Sequence, residues 1–209
     1  MKVERRHITT EFRVSDPDQP TTISGYAAVF ESPASNGLWT EVLDPHCFDN
    51  VLASTPDVRC LKNHDPNLIL GRTAANTLSL TVDARGLSYD CNPAPTSYGN
   101  DLLISMRRKD ITGSSFGFIC KRDQWTDNSD GTVTRRILEV EELLDVSPVT
   151  YPFYPSASST VRSLPDSIPV EIRSRFEQNA ESPILPSPDE VEDEWQLNAT
   201  LKLRLAEAL

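Results

Sequence analysis

Apolar and polar positions alternate along much of this chain in short runs bounded by Gly, Pro, Asn and Asp, the pattern of half-buried strands. The spacing predicts strands over residues 23–30, 58–62, 77–83, 86–91, 114–121, 132–140 and 143–149. Asp83-Ala84-Arg85-Gly86 reads as the turn joining two of them, with Gly86 free to take a positive φ. Asn128-Ser129-Asp130-Gly131 reads as a second hairpin turn. Two helices interrupt the strands. One spans 49–54 after Asp44-Pro45. The other spans 101–109, with Asn100 as its cap, Asp101 at the positive end, and Arg107, Arg108 and Lys109 at the negative end. Strands this short and numerous predict a mainly β (α+β) domain, built as a barrel or sandwich with a few helices. No internal repeat of about 20–50 residues interrupts the pattern.

The pattern changes after residue 162. Residues 163–209 carry ten acidic and four basic side chains, −6 of a net charge of −11, and Pro165, Pro169, Pro183, Pro186 and Pro188 fall among them. Such a composition predicts a segment that cannot bury enough apolar surface to offset its ordering entropy. Residues 182–188 read as an extended linker. Beyond them, 189–209 lacks Pro and Gly and places Trp195, Leu197, Leu201, Leu203 and Leu205 where a helix would have one apolar side. The expected organisation is therefore one domain over 1–162 and a disordered or helical tail over 163–209, serving as a solvated end or a docking element.

At 209 residues and 38% hydrophobic content, the chain can bury one core and leave a remainder unpacked. The negative charge argues against unaided nucleic-acid binding. No apolar run approaches the length of a membrane span, and the polar start, Met1 to His7, does not read as a secretory signal. Cys47, Cys60, Cys91 and Cys120 are dispersed with no CxxC pair and read as reduced packing thiols. A zinc site drawn from dispersed Cys and His is the alternative; no cofactor is otherwise expected.

Candidate chemistry centres on Gly113-Ser114-Ser115-Phe116-Gly117-Phe118. On a strand, Ser114, Phe116 and Phe118 share one face, and Ser115 and Gly117 the other. The phenylalanines require a core. Ser115 then stands opposite, beside a glycine that leaves room for a second chain, which suits an acyl-transfer nucleophile. A serine on the wet side of a strand is the plainer alternative. Of three histidines, His7 reads as solvated near a terminus and His46 as a turn or cap residue. His64 ends a strand before Asp65-Pro66, where a ring can be held rigidly yet meet solvent and act as a general base. Asp145, where an apolar strand begins, is placed to orient that ring. Glu139, Glu141 and Glu142 read as an exposed charged edge.

Five ordered landmarks add a resemblance. Gly25-Tyr26-Ala27-Ala28-Val29-Phe30, Pro45-His46-Cys47-Phe48, Asn63-His64-Asp65 with Leu70-Gly71-Arg72, Ser115-Phe116-Gly117-Phe118, and Leu144-Asp145-Val146-Ser147-Pro148-Val149-Thr150-Tyr151-Pro152 resemble motifs of the prohead (capsid maturation) serine proteases of tailed bacteriophages. The likeness runs from Ile23 to Ala157. His46-Cys47 replaces the family's Gly-Ala, and Phe153 replaces a small residue. The resemblance implies a fold similar to herpesvirus assemblins: a closed β-barrel surrounded by helices. It implies a serine endopeptidase that cleaves the scaffold or delta segment of the major capsid protein, and its own chain, inside the immature capsid. That capsid would lie in a host cytoplasm, or a prophage would encode the chain. Ser115 falls on the family's nucleophile, His64 on its histidine and Asp145 on its third member, where relatives commonly carry Glu; Glu141 or Glu142 are the substitutes. Backbone N–H groups would hold the oxyanion. Assemblin relatives are often dimers, which makes a homodimer one expected assembly. The alternative function is an inactive, protease-like scaffolding factor of the prohead.

Overall fold

The computed structural model describes residues 3–15, 21–35, 38–151 and 164–180. In chain order these form β1 (Glu4–Thr9), β2 (Arg13–Val14), β3 (Ile23–Val29), β4 (Ala34–Ser35), β5 (Thr40–Leu43), α1 (Asp49–Ala53), β6 (Arg59–Leu61), β7 (Ile69–Arg72), β8 (Leu78–Val82), β9 (Gly86–Cys91), α2 (Ser97–Arg107), β10 (Gly113–Asp127), β11 (Val133–Val149) and α3 (Val170–Ala180). The mainly β, α+β class follows directly.

The strands pair as two sheets. In the larger, the order is β1-β10-β11-β5-β4. Strand β11 is long enough to serve two parallel neighbours on one edge: β5 beside Thr134 to Ile137, and β6 beside Asp145 and Val146. Strand β7 then pairs antiparallel with β6. The smaller sheet has the order β2-β3-β9-β8. Among the described residues the pairing does not close into a ring, which corrects the expected closed barrel. The sheet forks at β11 instead of continuing around. The second sheet joins the first through side chains: Ile23, Ala27, Leu87 and Tyr89 share one buried cluster with Phe48, Phe116, Phe118 and Val146. Phe116 stacks at 5.5 Å on Phe48 and at 5.0 Å on Phe118, so the alternating phenylalanines of β10 fill the core they require.

Several elements differ from their sequence outlines. Residues 132–140 and 143–149 form one strand, because Glu141 falls at an irregularity in the β10–β11 ladder and stays exposed without ending it. Helix α2 starts earlier than expected, capped by Thr96, whose hydroxyl accepts from the Gly99 N–H at 3.2 Å, and not by Asn100. Gly86 needs no positive φ; a Cβ there would run into the Ala28 carbonyl, so its role is close strand approach. Strands β1, β2, β4, β5 and β7 lie outside the expected set.

Beyond residue 162 the outcome departs further. Leu164, Ile168, Ile172 and Phe176 are buried against Trp39 and Val133 in a second apolar cluster. Acidic composition and prolines masked a regular four-residue spacing of apolar side chains. Residues 164–180 are thus packed onto the domain rather than tethered to it. The expected linker at 182–188 and helix at 189–209 lie outside the described residues. No helix among the described residues is long and apolar enough to cross a membrane.

Beside the second cluster lies a buried ion network. Arg135, 1% exposed, pairs with Asp123 at 2.7 Å, Glu41 at 2.9 Å and Glu4, and Arg6 pairs with Glu41 at 2.6 Å. Ser167 donates to Asp123 at 2.6 Å, tying the C-terminal segment to the same network. The network joins β1, β5, β10 and β11. Truncating Arg135 would leave three carboxylates without their shared cation. Arg135→Ala is expected to lower stability by about 3–5 kcal/mol, read by urea unfolding; a loss below about 1 kcal/mol would show the network to be dispensable.

Candidate active site

The site rests on the register of three strands. Cross-strand partners point to the same face of a sheet. On one face, His7 of β1 lies opposite Ser115 of β10, which lies opposite Ser147 of β11. In the next row on that face stand Arg5, Gly117 and Asp145. The other face carries Arg6, Phe116 and Val146, which look into the core and the ion network. Alternation along β10 thus separates Ser115 from the phenylalanines.

His64 reaches this face from β6. That strand runs parallel to β11 with Arg59 beside Asp145, and the Asn63 N–H extends the ladder to the Pro148 carbonyl at 3.0 Å. Asn63 (φ 55) and His64 (φ 58) then both adopt the left-handed region, which turns the chain back toward the sheet. Two consecutive non-glycine residues hold such a conformation only when their surroundings over-determine it. Here Asn63 Oδ1 accepts from the Thr150 N–H at 2.8 Å, and Asn63 Nδ2 donates to Thr150 Oγ1 at 3.3 Å.

The result is a hydrogen-bonded chain. His64 Nδ1 lies 2.5 Å from Asp145 Oδ1, and His64 Nε2 lies 2.6 Å from Ser115 Oγ. The His64 and Asp145 side chains are 7% and 10% exposed. With the proton on Nδ1 donated to Asp145, Nε2 is left free to accept the Ser115 hydroxyl proton. Ser147 Oγ donates to the same Asp145 oxygen at 2.6 Å, a second bond that holds the carboxylate in place. Asp145 reaches the ring despite its short side chain because it stands one row from Ser115. Gly117 makes that possible: a Cβ there would collide with Asp145 Oδ2. The glycine admits the carboxylate, not a second chain as its position alone suggested.

The other candidates fall elsewhere. Glu141 and Glu142 are exposed; Glu141 faces Lys121 at 3.7 Å, and Glu139 pairs with Lys121 at 2.9 Å and accepts from Asn50 at 2.9 Å. His46 is exposed and bonds Asp49. Ser114 is buried on the core face. Cys47, Cys60 and Cys91 are buried free thiols and Cys120 is half-buried; burial pushes Cys47 and Cys120 up to about 12. No group of three His, Cys, Asp or Glu among the described residues is placed to hold a metal ion.

Two positions depart from expectation. Ser115 is fully buried, not beside open space. His7 is not a solvated terminal residue: it stands beside Ser115, and its ring lies edge-on to that of His64, centroids 5.8 Å apart. Burial first, then the nearby His64, Arg5 and Arg6, push its pKa down to about 4. The β-prone run from His7 to Phe12 was the available signal. Ser147 was likewise missed as a partner of Asp145, although its spacing of two from Asp145 puts both on one face.

Gly117→Ala is expected to displace the Asp145 carboxylate and abolish the low-field proton resonance of the His64 Nδ1–H, with a destabilisation of about 1–3 kcal/mol. An unchanged resonance would show that the carboxylate has room to spare. His7, depressed in the folded state, takes its proton more readily in the unfolded chain. Its contribution is therefore complete above its ordinary pKa of about 6.5 and is lost as pH falls toward 4. Chemical denaturation across that window should give a shallower loss of stability for His7→Gln than for the wild type, by at most about 1 kcal/mol per pH unit given the ring's partial exposure.

Comparison with known proteins places this geometry in context. The prohead protease of Enterobacteria phage HK97 is 29% identical over 146 residues, which are 68% of this chain and 60% of that relative, so the chain spans about three fifths of its length. The solved bacteriophage T4 capsid assembly protease aligns at a TM-score of 0.48 and 13% identity, over 71% of this chain and 97% of that one. The family model described as caudovirus prohead serine protease matches residues 9–166, a span that holds His64, Ser115 and Asp145. The chain belongs to the caudovirus prohead serine protease family.

Proposed function

We propose that this chain is a serine endopeptidase of capsid maturation, which cuts the scaffold or delta segment of the major capsid protein and its own chain inside the prohead. The observation that carries the reading is the continuous path from Ser115 Oγ through both His64 nitrogens to Asp145. Family membership supports the same chemistry, and the name of the HK97 relative supports the prohead as its setting.

In this reading His64 Nε2 accepts the hydroxyl proton as Ser115 Oγ attacks the scissile carbonyl carbon. Asp145 stabilises the imidazolium that forms, and Ser147 keeps the carboxylate aimed. The tetrahedral adduct collapses, the C–N bond breaks, and His64 returns the proton to the leaving amine. Water, deprotonated by His64, then attacks the acyl-enzyme and releases Ser115.

Co-expression with the capsid protein tests this. Wild-type chain should shorten the capsid protein, and Ser115→Ala should reduce processing by at least about 10⁴-fold while leaving a folded domain. Equal processing by both would remove Ser115 as the nucleophile.

A further inference from the structure

Ser115 is fully buried, yet the proposed reaction requires a carbonyl carbon to reach its hydroxyl. The cover can be read from the register. Along β10, its neighbours on the same face are Gly113 and Gly117, which have no side chains to cover it. Across β11 stands Ser147, small, itself fully buried and bonded to Asp145. His64 occupies another side and is fixed at both ring nitrogens. Among the described strand partners the remaining neighbour is His7 on the outer strand β1, half-buried like His64 but with no hydrogen bond to fix its ring at Nδ1.

The His7 ring is also the one least held. Its Nδ1 is buried without a hydrogen-bond partner, so the closed position leaves a polar atom unsatisfied that an outward turn would return to water. Its backbone is fixed, in contrast. Arg6 and Glu4, on the opposite face of β1, are anchored to Glu41 and Arg135. A strand clamped on one face and an unanchored ring on the other permits side-chain rotation without loss of register. The family match begins at residue 9, so His7 stands outside the matched span.

We infer that His7 controls access to Ser115: its imidazole covers the hydroxyl in the closed site, and an acyl substrate enters only when the ring turns away from the sheet. This rests on the serine-nucleophile reading above. It makes the side chain at position 7 the group that sets how much of the population is open to attack.

The rate of Ser115 modification by an alkyl fluorophosphonate tests the inference in the full-length chain. In that reaction Ser115 Oγ bonds to phosphorus, His64 takes the proton and fluoride departs. The adduct is located by peptide mass. His7→Ala and His7→Thr, the latter keeping a strand-forming residue, are expected to raise the second-order rate about tenfold, and His7→Trp to lower it about tenfold, in proportion to the open fraction. The low-field His64 Nδ1 proton should persist in all three, a signature that a general loosening of the site would erase. Small variants that react no faster than wild type, with Ser115 labelled in each, overturn the access role and leave the nucleophile in place. Absence of any adduct at Ser115 in wild type and small variants alike overturns the nucleophile reading together with the access role.

Discussion

The pairing of β10 with β11 is the constraint on which the rest of this molecule depends. It sets Ser115 opposite Ser147 and Gly117 opposite Asp145, so the nucleophile candidate and its carboxylate share one face in adjacent rows. A one-residue slip would turn Ser115 into the core and bring Phe116 out. The phenylalanines oppose that slip, because Phe116 and Phe118 are fully buried among aromatic neighbours. Packing on one face of β10 thereby fixes the chemistry on the other. The same strand pair gives β11 enough length to carry β6 beside Asp145, and β6 delivers His64.

The two ends of the hairpin solve different problems. Near its turn, Arg135 is shared by carboxylates from β1, β5 and β10; the segment 164–180 packs its apolar side chains on Trp39 and Val133 beside it and ties Ser167 to Asp123. That arrangement binds four strands and the C-terminal segment together at a cost in desolvation. At the other end, Asn63 and His64 occupy a left-handed conformation stabilised by the Asn63–Thr150 clasp. Local strain is tolerated where it aims His64, and the ion network at the far end holds the register that the aim requires.

Much of the site is legible in the sequence. Strand alternation separated Ser115 from Ser114, and the strand-to-loop position of His64 marked it among three histidines. The start of an apolar strand singled out Asp145 among four acidic residues, and the resemblance placed it on the family's third member. What escaped notice was contributed across strands. His7 looked like a terminal residue because nothing local to it shows that β1 joins the sheet beside β10. Ser147 drew no reading of its own, because its role depends on sharing a face with Asp145 and on the turn of that carboxylate. Gly117 looked like an opening, and is filled by Asp145. The tail was misjudged over 164–180 because charge and proline content are averages, whereas burial follows the spacing of Leu164, Ile168, Ile172 and Phe176.

The sequence by itself determined the β-rich class, most strand positions, and the face on which Ser115 stands, because these follow from periodicities of two residues along a local backbone. Only the tertiary structure decided that the sheets fork rather than close among the described residues, that Asp145 and not a neighbouring glutamate meets His64, and that His7 stands beside Ser115. Each of these depends on which distant strands lie side by side and in what register. That choice is made by burial of the whole core and by ion pairs between residues as far apart in the chain as Glu4 and Arg135, and no short window of sequence records it.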